Sequence, residues 1–190
     1  VMAQTVLDIE VPGVLFEVWV HMATLLSILL IYHKRIIELA KGVLGKDRSA
    51  LEYTGLVTLA TLPAVFTGLF LSDLVKVMFE NPVIPGVALM VTGVILWTSR
   101  RVYVPSAVDR PGWLRALVFG LAQAFALIPG ISRSGTTVVT ALWLGLKAED
   151  AAAFSFLMAI PVILGATLLQ LSEVGASQSV SYTHLTLPTK

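Results

Sequence analysis

The sequence has no cysteine and unusually few charged residues, and both deficits exclude classes of protein. Without cysteine there are no disulfides and no thiolate metal sites. Charged residues make up 13% of the 190 residues and the mean hydropathy is +0.86, whereas soluble domains carry about 25% charged residues. The net charge is +1 and no basic stripe is present, which gives no basis for nucleic-acid binding. The composition therefore predicts an integral membrane protein.

Long apolar stretches separate the few charged segments. Four of them are long enough to cross a bilayer core of about 30 Å as helices: residues 14–32, 54–71, 82–98 and 151–171. The third is short and would need help from its flanks. A fifth apolar region, residues 114–146, is interrupted by a Pro-Gly-containing segment at 129–135 that does not easily continue a regular helix. We therefore expect four spans and one broken hydrophobic element.

Basic residues alternate in number between successive connections. The first holds five, the second one and the third three. The positive-inside rule then predicts that residues 33–53 and 99–113 are cytoplasmic and residues 72–81 external. A chance distribution remains an alternative because the counts are small.

The segment after residue 128 carries most of the chemical information: Pro129-Gly130-Ile131-Ser132-Arg133-Ser134-Gly135-Thr136-Thr137. An arginine at membrane depth is costly, by about 2.5–3.5 kcal/mol on insertion scales, and is normally retained for a function. Its guanidinium suits phosphate oxygens, and the glycines let backbone N–H groups approach an anion. The pattern predicts a half-helix over residues 136–146 whose N-terminus adds further N–H donors. Together these features indicate a phosphate-binding loop.

Two other interpretations of this loop were considered. A nucleotide P-loop requires a lysine that is absent here, and the preceding residues favour a helix rather than a strand. An interfacial loop with a snorkelling arginine remains open. A re-entrant hairpin is the form in which the loop would function at membrane depth, because irregular backbone there must be covered by protein or by a water-filled cavity.

Polar residues within the apolar stretches give weaker signals. Glu17 and His21 are four residues apart and would share a helix face, where they either line a polar cavity or lie near the interface. Gln123 precedes the loop by two turns and is suited to a hydrogen bond between helices.

Four segments together resemble a known family: Phe16-Glu17-Val18, Leu62-Pro63-Ala64-Val65, Pro129-Gly130-Ile131-Ser132-Arg133-Ser134-Gly135 and Phe154-Ser155-Phe156-Leu157. They are similar to the undecaprenyl-diphosphate phosphatases of the bacitracin-resistance type, over nearly all of residues 14–171. The resemblance implies an all-α polytopic helical bundle in the membrane, with a re-entrant helix–loop–half-helix hairpin as part of an inverted-repeat architecture. It also implies a hydrolase of the bacterial plasma membrane that converts undecaprenyl diphosphate to undecaprenyl phosphate for peptidoglycan synthesis.

The same resemblance implies roles for individual residues. The catalytic assignment falls on Ser132, Arg133, Ser134 and Thr137. The substrate-binding assignment adds Gly130, Gly135, Thr136, Gln123 and Glu17. Mg²⁺ or Ca²⁺ is implied as cofactor, although no metal ligand is assigned in this chain. The implied partners are a polyprenyl diphosphate lipid and the bilayer; a homodimer is left open.

The sequence also departs from the family pattern. The family's first-repeat motif, two glutamates four apart followed by a PVSSTGH-like stretch, does not occur here. We therefore interpret residues 1–173 as a partial phosphatase membrane domain, inactive alone, and residues 174–190 as a polar tail that is not native. The alternatives are a transporter or flippase of a phosphorylated lipid, since broken helices serve both functions, and a structural membrane fragment without activity.

Overall fold

The computed structural model describes the backbone of residues 13–81, 83–100, 102 and 108–184, and the side chains of residues 19–75, 77–81, 83–100, 102 and 108–168. These residues form seven helices: α1 Gly13–Leu44, α2 Arg48–Phe70, α3 Ser72–Glu80, α4 Val83–Ser99, α5 Trp113–Phe125, α6 Arg133–Trp143 and α7 Ala148–His184. The described part of the chain contains no β-strand, only an isolated bridge between Val108 and Leu146. The prediction of an all-helical fold is confirmed.

Three helical segments are long and apolar enough to cross a membrane: Trp19–Leu44, Arg48–Phe70 and Ala148–Leu168. Helices α3 and α4 pass the same test only as a pair, bent by 99° at the break between them. The short third span predicted from the sequence corresponds to α4, and a separate helix, α3, precedes it. The expectation that residues 72–81 form a loop is therefore wrong. Residues 72–80 are helical because Val75, Met78 and the neighbouring apolar residues follow a helical spacing around the charged ones.

The first connection is also shorter than the sequence predicted. Most of the expected loop at residues 33–53 belongs to α1 and α2, and only Gly45, Lys46 and Asp47 join the two helices. Ile36 and Leu39 pack against the core along this extension, so charged residues occupy the outer side of a continuing helix. The Asp47 carboxylate caps α2 by accepting a hydrogen bond from Ala50 N–H at 3.1 Å.

By its internal packing the chain divides into two compact units, residues 28–162 and residues 1–27 with 163–190. The larger unit has a core of buried side chains from four helices and from the connection between α6 and α7, listed here: Tyr53, Ala60, Ala116, Phe119, Ala141, Leu146, Ala151, Phe154, Leu157 and Met158. Phe154 is its centre, with the rings of Tyr53 and Phe119 at 5.7 and 5.4 Å. In the smaller unit the described buried residues include Leu25, Ile163 and Thr167.

Helices α5 and α6 form a hairpin within the larger unit. Its open ends meet at one point, where Val108 N–H donates to Gly145 O at 2.9 Å and Lys147 N–H donates to Val108 O at 3.2 Å. The Lys147 ammonium also lies 2.5 Å from the Asp109 carboxylate. The hydrogen bond with Asp109 raises the pKa of Lys147. The contact therefore forms fully at pH values below the ordinary lysine pKa, and it is lost as the pH rises through the raised pKa.

Gly120 allows the hairpin to approach α2 closely. A Cβ atom at this position would lie 2.9 Å from Cδ of Pro63, near the middle of α2. Any larger residue would force the two helices apart. In the closed end of the hairpin, residues 126–132, Ala126 and Ile131 are buried and cluster with Ala88 of α4.

Candidate anion-binding site

The loop between α5 and α6 is held by a threonine of α4. Thr92 Oγ1 donates a hydrogen bond to Gly130 O at 3.1 Å and accepts one from Ser132 N–H at 3.0 Å. Thr92 is buried and lies near the middle of α4. One hydroxyl therefore satisfies two backbone groups of the loop at once and fixes its path.

The backbone conformation and the close packing at Gly130 both require a glycine. Its φ of +93° lies in the region favoured by glycine. A Cβ atom there would also strike Pro85, with the Pro85 Cα 2.8 Å away. The expectation that Gly130 shapes the loop therefore has a steric basis, and α4 supplies the opposing surface.

Ser132 acts as the N-cap of α6. Its side-chain oxygen accepts a hydrogen bond from Gly135 N–H at 3.2 Å, and its carbonyl accepts from Thr136 N–H at 2.9 Å. The helix accordingly starts at Arg133, three residues before the start predicted from the sequence, and it ends at Trp143. The N-cap explains the difference, because the Ser132 hydroxyl stabilises a first helical turn that includes residues 133–135, which the sequence pattern had assigned to the loop.

The capping leaves two N–H groups available at the N-terminus of α6, which we call the α6 tip. The first N–H groups of a helix have no intrahelical acceptor. Those of Ser132 and Gly135 are satisfied by Thr92 and Ser132, whereas those of Arg133 and Ser134 have no acceptor in the part of the chain that the structure describes.

The two side chains beside these groups are accessible. Arg133 is partly buried and Ser134 is exposed, and the Arg133 guanidinium has no hydrogen-bond or ion-pair partner among the described residues. Two backbone donors, a guanidinium and a hydroxyl thus lie at one helix N-terminus, where the helix dipole favours a negative charge. This arrangement can bind a phosphate.

The threonines of the motif are placed differently. Thr137 is buried, and its hydroxyl contacts Arg133 O at 2.8 Å, Ser134 O at 3.3 Å and the Ser155 hydroxyl. Thr136 is also buried, with no hydrogen-bond partner for its hydroxyl among the described residues. Neither hydroxyl is exposed, and Thr137 ties α6 to α7 through Ser155.

Three further predicted residues have different surroundings. Gln123 is fully buried in α5, and neither atom of its amide has a partner in the described structure. Gly135 packs tightly, since a Cβ there would lie 3.0 Å from Ser132 Oγ. Glu17 belongs to α1, but its side chain is outside the described residues, so its assignment stays a prediction.

Sequence reasoning missed Thr92 and Ser155. Neither stood out, since a threonine in an apolar helix ordinarily bonds to its own preceding turn, as Thr98 does to Ile95 O at 2.5 Å. Ser155 lies within a segment quoted for the resemblance but received no role. The hydroxyls of Thr92 and Ser155 differ from the others only in bonding to a residue outside their own helix.

The fold and this site define a class: a multi-pass helical membrane protein with a helix N-terminus suited to an anion. The comparisons with known proteins identify the family. The chain belongs to the family described as bacitracin resistance protein BacA, whose model matches residues 1–187. The resemblance noted from the sequence is therefore confirmed, and the match extends beyond the residues that carried it.

Relatives in several organisms share the name undecaprenyl-diphosphatase. One from Methanococcus maripaludis is 37% identical over 167 residues, covering 87% of this chain and 67% of the relative. One from Methanococcus vannielii is 34% identical over 174 residues, covering 91% and 70%. Undecaprenyl-diphosphatase 2 of Bacillus thuringiensis is 38% identical over 181 residues, covering 92% and 67%. The chain thus spans about two thirds of the length of these relatives.

Proposed function

We propose that this chain forms the phosphate-binding part of an enzyme that hydrolyses undecaprenyl diphosphate to undecaprenyl phosphate and inorganic phosphate. The family and the names of the relatives support the reaction and the substrate. The observation that carries the proposal is the tip of α6, where the Arg133 guanidinium and two backbone N–H groups have no partner in the described structure. The product would serve as lipid carrier in peptidoglycan synthesis, as the family implies.

The reaction cleaves the P–O bond of the terminal phosphoryl group, and water supplies the oxygen that the released phosphate gains. Negative charge concentrates on the terminal phosphoryl oxygens and on the bridging oxygen that leaves with the lipid. Arg133 would hold two phosphoryl oxygens with its planar fork, while the N–H groups of Arg133 and Ser134 bind a third. Because the helix fixes the two N–H groups before the substrate arrives, they would stabilise the transition state without rearrangement.

Of the four residues assigned to catalysis, we place Arg133 and Ser134 at the substrate. Ser132 would act by shaping the tip, since its hydroxyl accepts from Gly135 N–H. Thr137 would act by fixing α6 against α7 through Ser155. Gly130 and Gly135 would serve the loop geometry that admits the phosphate.

We further propose that the α5–α6 hairpin is re-entrant. The two helices have 13 and 11 residues, so they are about 20 and 17 Å long and neither reaches across a bilayer core of about 30 Å. Their open ends meet at Val108 and Gly145, and their tip is hydrogen-bonded to the middle of α4. The inverted-repeat architecture and a location in the bacterial plasma membrane follow from the family resemblance and belong to this proposal.

The metal stays a prediction from the resemblance. The described residues contain no group of three or more His, Asp or Glu side chains that would hold a metal ion. They therefore do not fit a complete Mg²⁺ or Ca²⁺ site, and no step of the proposed chemistry is assigned to a metal. The transporter alternative gains no support from the relatives, whose names are those of phosphatases.

Substitution of Arg133 tests the proposal in a full-length family member that carries this segment. We expect both Arg133→Lys and Arg133→Ala to lower the rate of phosphate release by about 10²–10³-fold, the scale for removal of one preorganised donor. Lysine keeps the charge but not the fork that matches two phosphate oxygens. The measurement is phosphate release against substrate concentration, with membrane insertion and thermal unfolding recorded for each variant.

Arg115 offers a matched control on the same hairpin. It lies ten residues before the end of α5, about 15 Å along the helix from the loop. Arg115→Lys and Arg115→Ala should keep near-normal turnover. If Arg133→Lys is as active as the unsubstituted protein, the bidentate geometry is wrong; if Arg133→Ala is also active, Arg133 is the snorkelling residue of the alternative interpretation.

A further inference from the structure

A second polar site lies far from the α6 tip, where α1 ends and α2 begins. It is a small open cleft of about 140 Å³ whose polar lining residues are Arg35, Glu38, Asp47, Ser49, Tyr53 and Arg110. Its volume is about four to five times the share of one water molecule in the liquid. That space suits a phosphate with a short substituent.

Two guanidinium groups of the cleft have no carboxylate partner. The Arg35 guanidinium lies over the Tyr53 ring, 5.3 Å from its centroid, and Arg110 donates a hydrogen bond to the Ser49 hydroxyl. Neither is within ion-pair distance of a carboxylate among the described residues. Both keep N–H donors for a ligand, because each guanidinium carries five.

The carboxylates of the cleft are not equivalent. Asp47 is engaged as the N-cap of α2, through its hydrogen bond from Ala50 N–H. Glu38 has no ion-pair or hydrogen-bond partner in the described part of the chain. Asp47 keeps its negative charge in this cap, so two guanidinium groups and two carboxylates line the cleft. This balance favours a ligand that carries both charges over a simple phosphate.

The cleft lies at the level of the lipid headgroups, which are therefore the most abundant ligands within its reach. Ser49 and Tyr53 lie in the first two turns of α2, a segment of 23 residues that is long enough to cross the membrane, so the cleft lies near one end of that span. A group at this level contacts the headgroup region rather than the hydrocarbon core. Basic residues are also most frequent at this end, in the connections predicted to be cytoplasmic.

We propose that this cleft binds the headgroup of a zwitterionic phospholipid with a phosphate and a primary ammonium. Arg35 and Arg110 contact the phosphate, with the Ser49 hydroxyl beside it. Glu38 accepts hydrogen bonds from the ammonium. The site is independent of the diphosphate site, since it shares no residue with the α6 tip.

Lipid competition with the 190-residue chain in detergent tests the proposal. Native mass spectrometry would compare phosphatidylethanolamine, phosphatidylcholine and phosphatidylglycerol of the same acyl chains. We expect phosphatidylethanolamine to bind about ten-fold more tightly than either of the others, the scale for one charge-assisted hydrogen bond. Phosphatidylcholine keeps the positive charge without N–H donors, and phosphatidylglycerol keeps the phosphate without the cation.

Three single substitutions assign the contacts. Arg110→Gln should weaken phosphatidylethanolamine binding about ten-fold, and Glu38→Gln should reduce it to the level of phosphatidylglycerol. Arg100→Gln removes an exposed arginine outside the cleft and should change nothing. Arg110 and Glu38 are preferable to Arg35 because Arg35 packs on the buried Tyr53 ring and its loss can disturb folding.

Free phosphoethanolamine separates a lipid site from a site for a soluble phosphate. The proposal requires free phosphoethanolamine to compete only weakly with phosphatidylethanolamine for the cleft. Equal binding of the three lipids, unchanged binding in Arg110→Gln, or the same loss in Arg100→Gln would overturn it. Stronger binding of free phosphoethanolamine than of the lipid would overturn the headgroup assignment and leave a soluble ligand instead.

Discussion

The hydroxyl groups of Ser132, Ser134 and Thr137 follow one another closely in sequence, yet their surroundings differ. The Ser132 oxygen is used by Gly135 N–H, and Thr137 is buried against Ser155. Ser134 is exposed and keeps its hydroxyl for a ligand. Three similar hydroxyls therefore have three different environments: one caps a helix, one packs between helices and one is open to solvent.

Thr92 is the residue whose role is most open to test. Thr92→Val preserves shape but leaves Gly130 O and Ser132 N–H without their partner. An unsatisfied buried group costs about 1–3 kcal/mol, so we expect lower thermal stability and about ten-fold weaker binding of inorganic diphosphate to the chain. Thermal unfolding in detergent and isothermal titration calorimetry measure the two effects.

Thr92→Ser and Thr98→Val serve as controls for this prediction. Serine restores the hydroxyl and should recover most of the diphosphate affinity. Thr98 lies on the same helix but bonds only to Ile95 O within it, so Thr98→Val should leave binding unchanged. Equal effects of Thr92→Val and Thr98→Val would mean that the loss concerns α4 itself and not the loop.

Helix boundaries account for the main differences between the predicted and observed elements. Charged residues at the end of α1 and in α3 were expected in loops, because a hydropathy window reads a charged segment as the end of a span. Both segments remain helical. The two basic connections predicted on one side of the membrane nevertheless meet in the structure, since Arg110 donates to the Ser49 hydroxyl.

Membrane topology provides a prediction for these elements. The absence of native cysteine makes single-cysteine labelling direct. We expect a membrane-impermeant maleimide on intact cells to label Asn81→Cys but neither Arg48→Cys nor Glu149→Cys, because the basic connections and both open ends of the hairpin lie inside. All three positions are exposed, so permeabilised cells should label each of them.

The labelling pattern has two informative failures. Label at residue 48 with none at residue 81 would invert the orientation. Opposite behaviour of residues 48 and 149 would contradict a re-entrant hairpin, because it would require the region between α4 and α7 to cross the membrane once.

At the scale of the whole molecule, the chain holds the proposed phosphate-binding tip, and its described residues contain no group of three or more metal ligands. It also spans 67% of the length of a family member. We therefore predict that the 190-residue chain, purified in detergent, binds inorganic diphosphate but releases no phosphate from a prenyl diphosphate. A full-length relative assayed in parallel is the reference, and comparable turnover by this chain would show that the α6 tip is sufficient for hydrolysis.

The sequence alone determined the membrane class, the family and the location of the candidate anion-binding loop. These depend on composition, hydrophobic run length and a short contiguous motif, all of which are local properties. Only the tertiary structure decided which loop donors remain available and that Thr92, 38 residues from Gly130, holds the loop. It likewise brought Arg110 to Ser49, 61 residues away, and so formed the cleft. Contacts at such separations depend on how helices pack, and no local pattern encodes that packing.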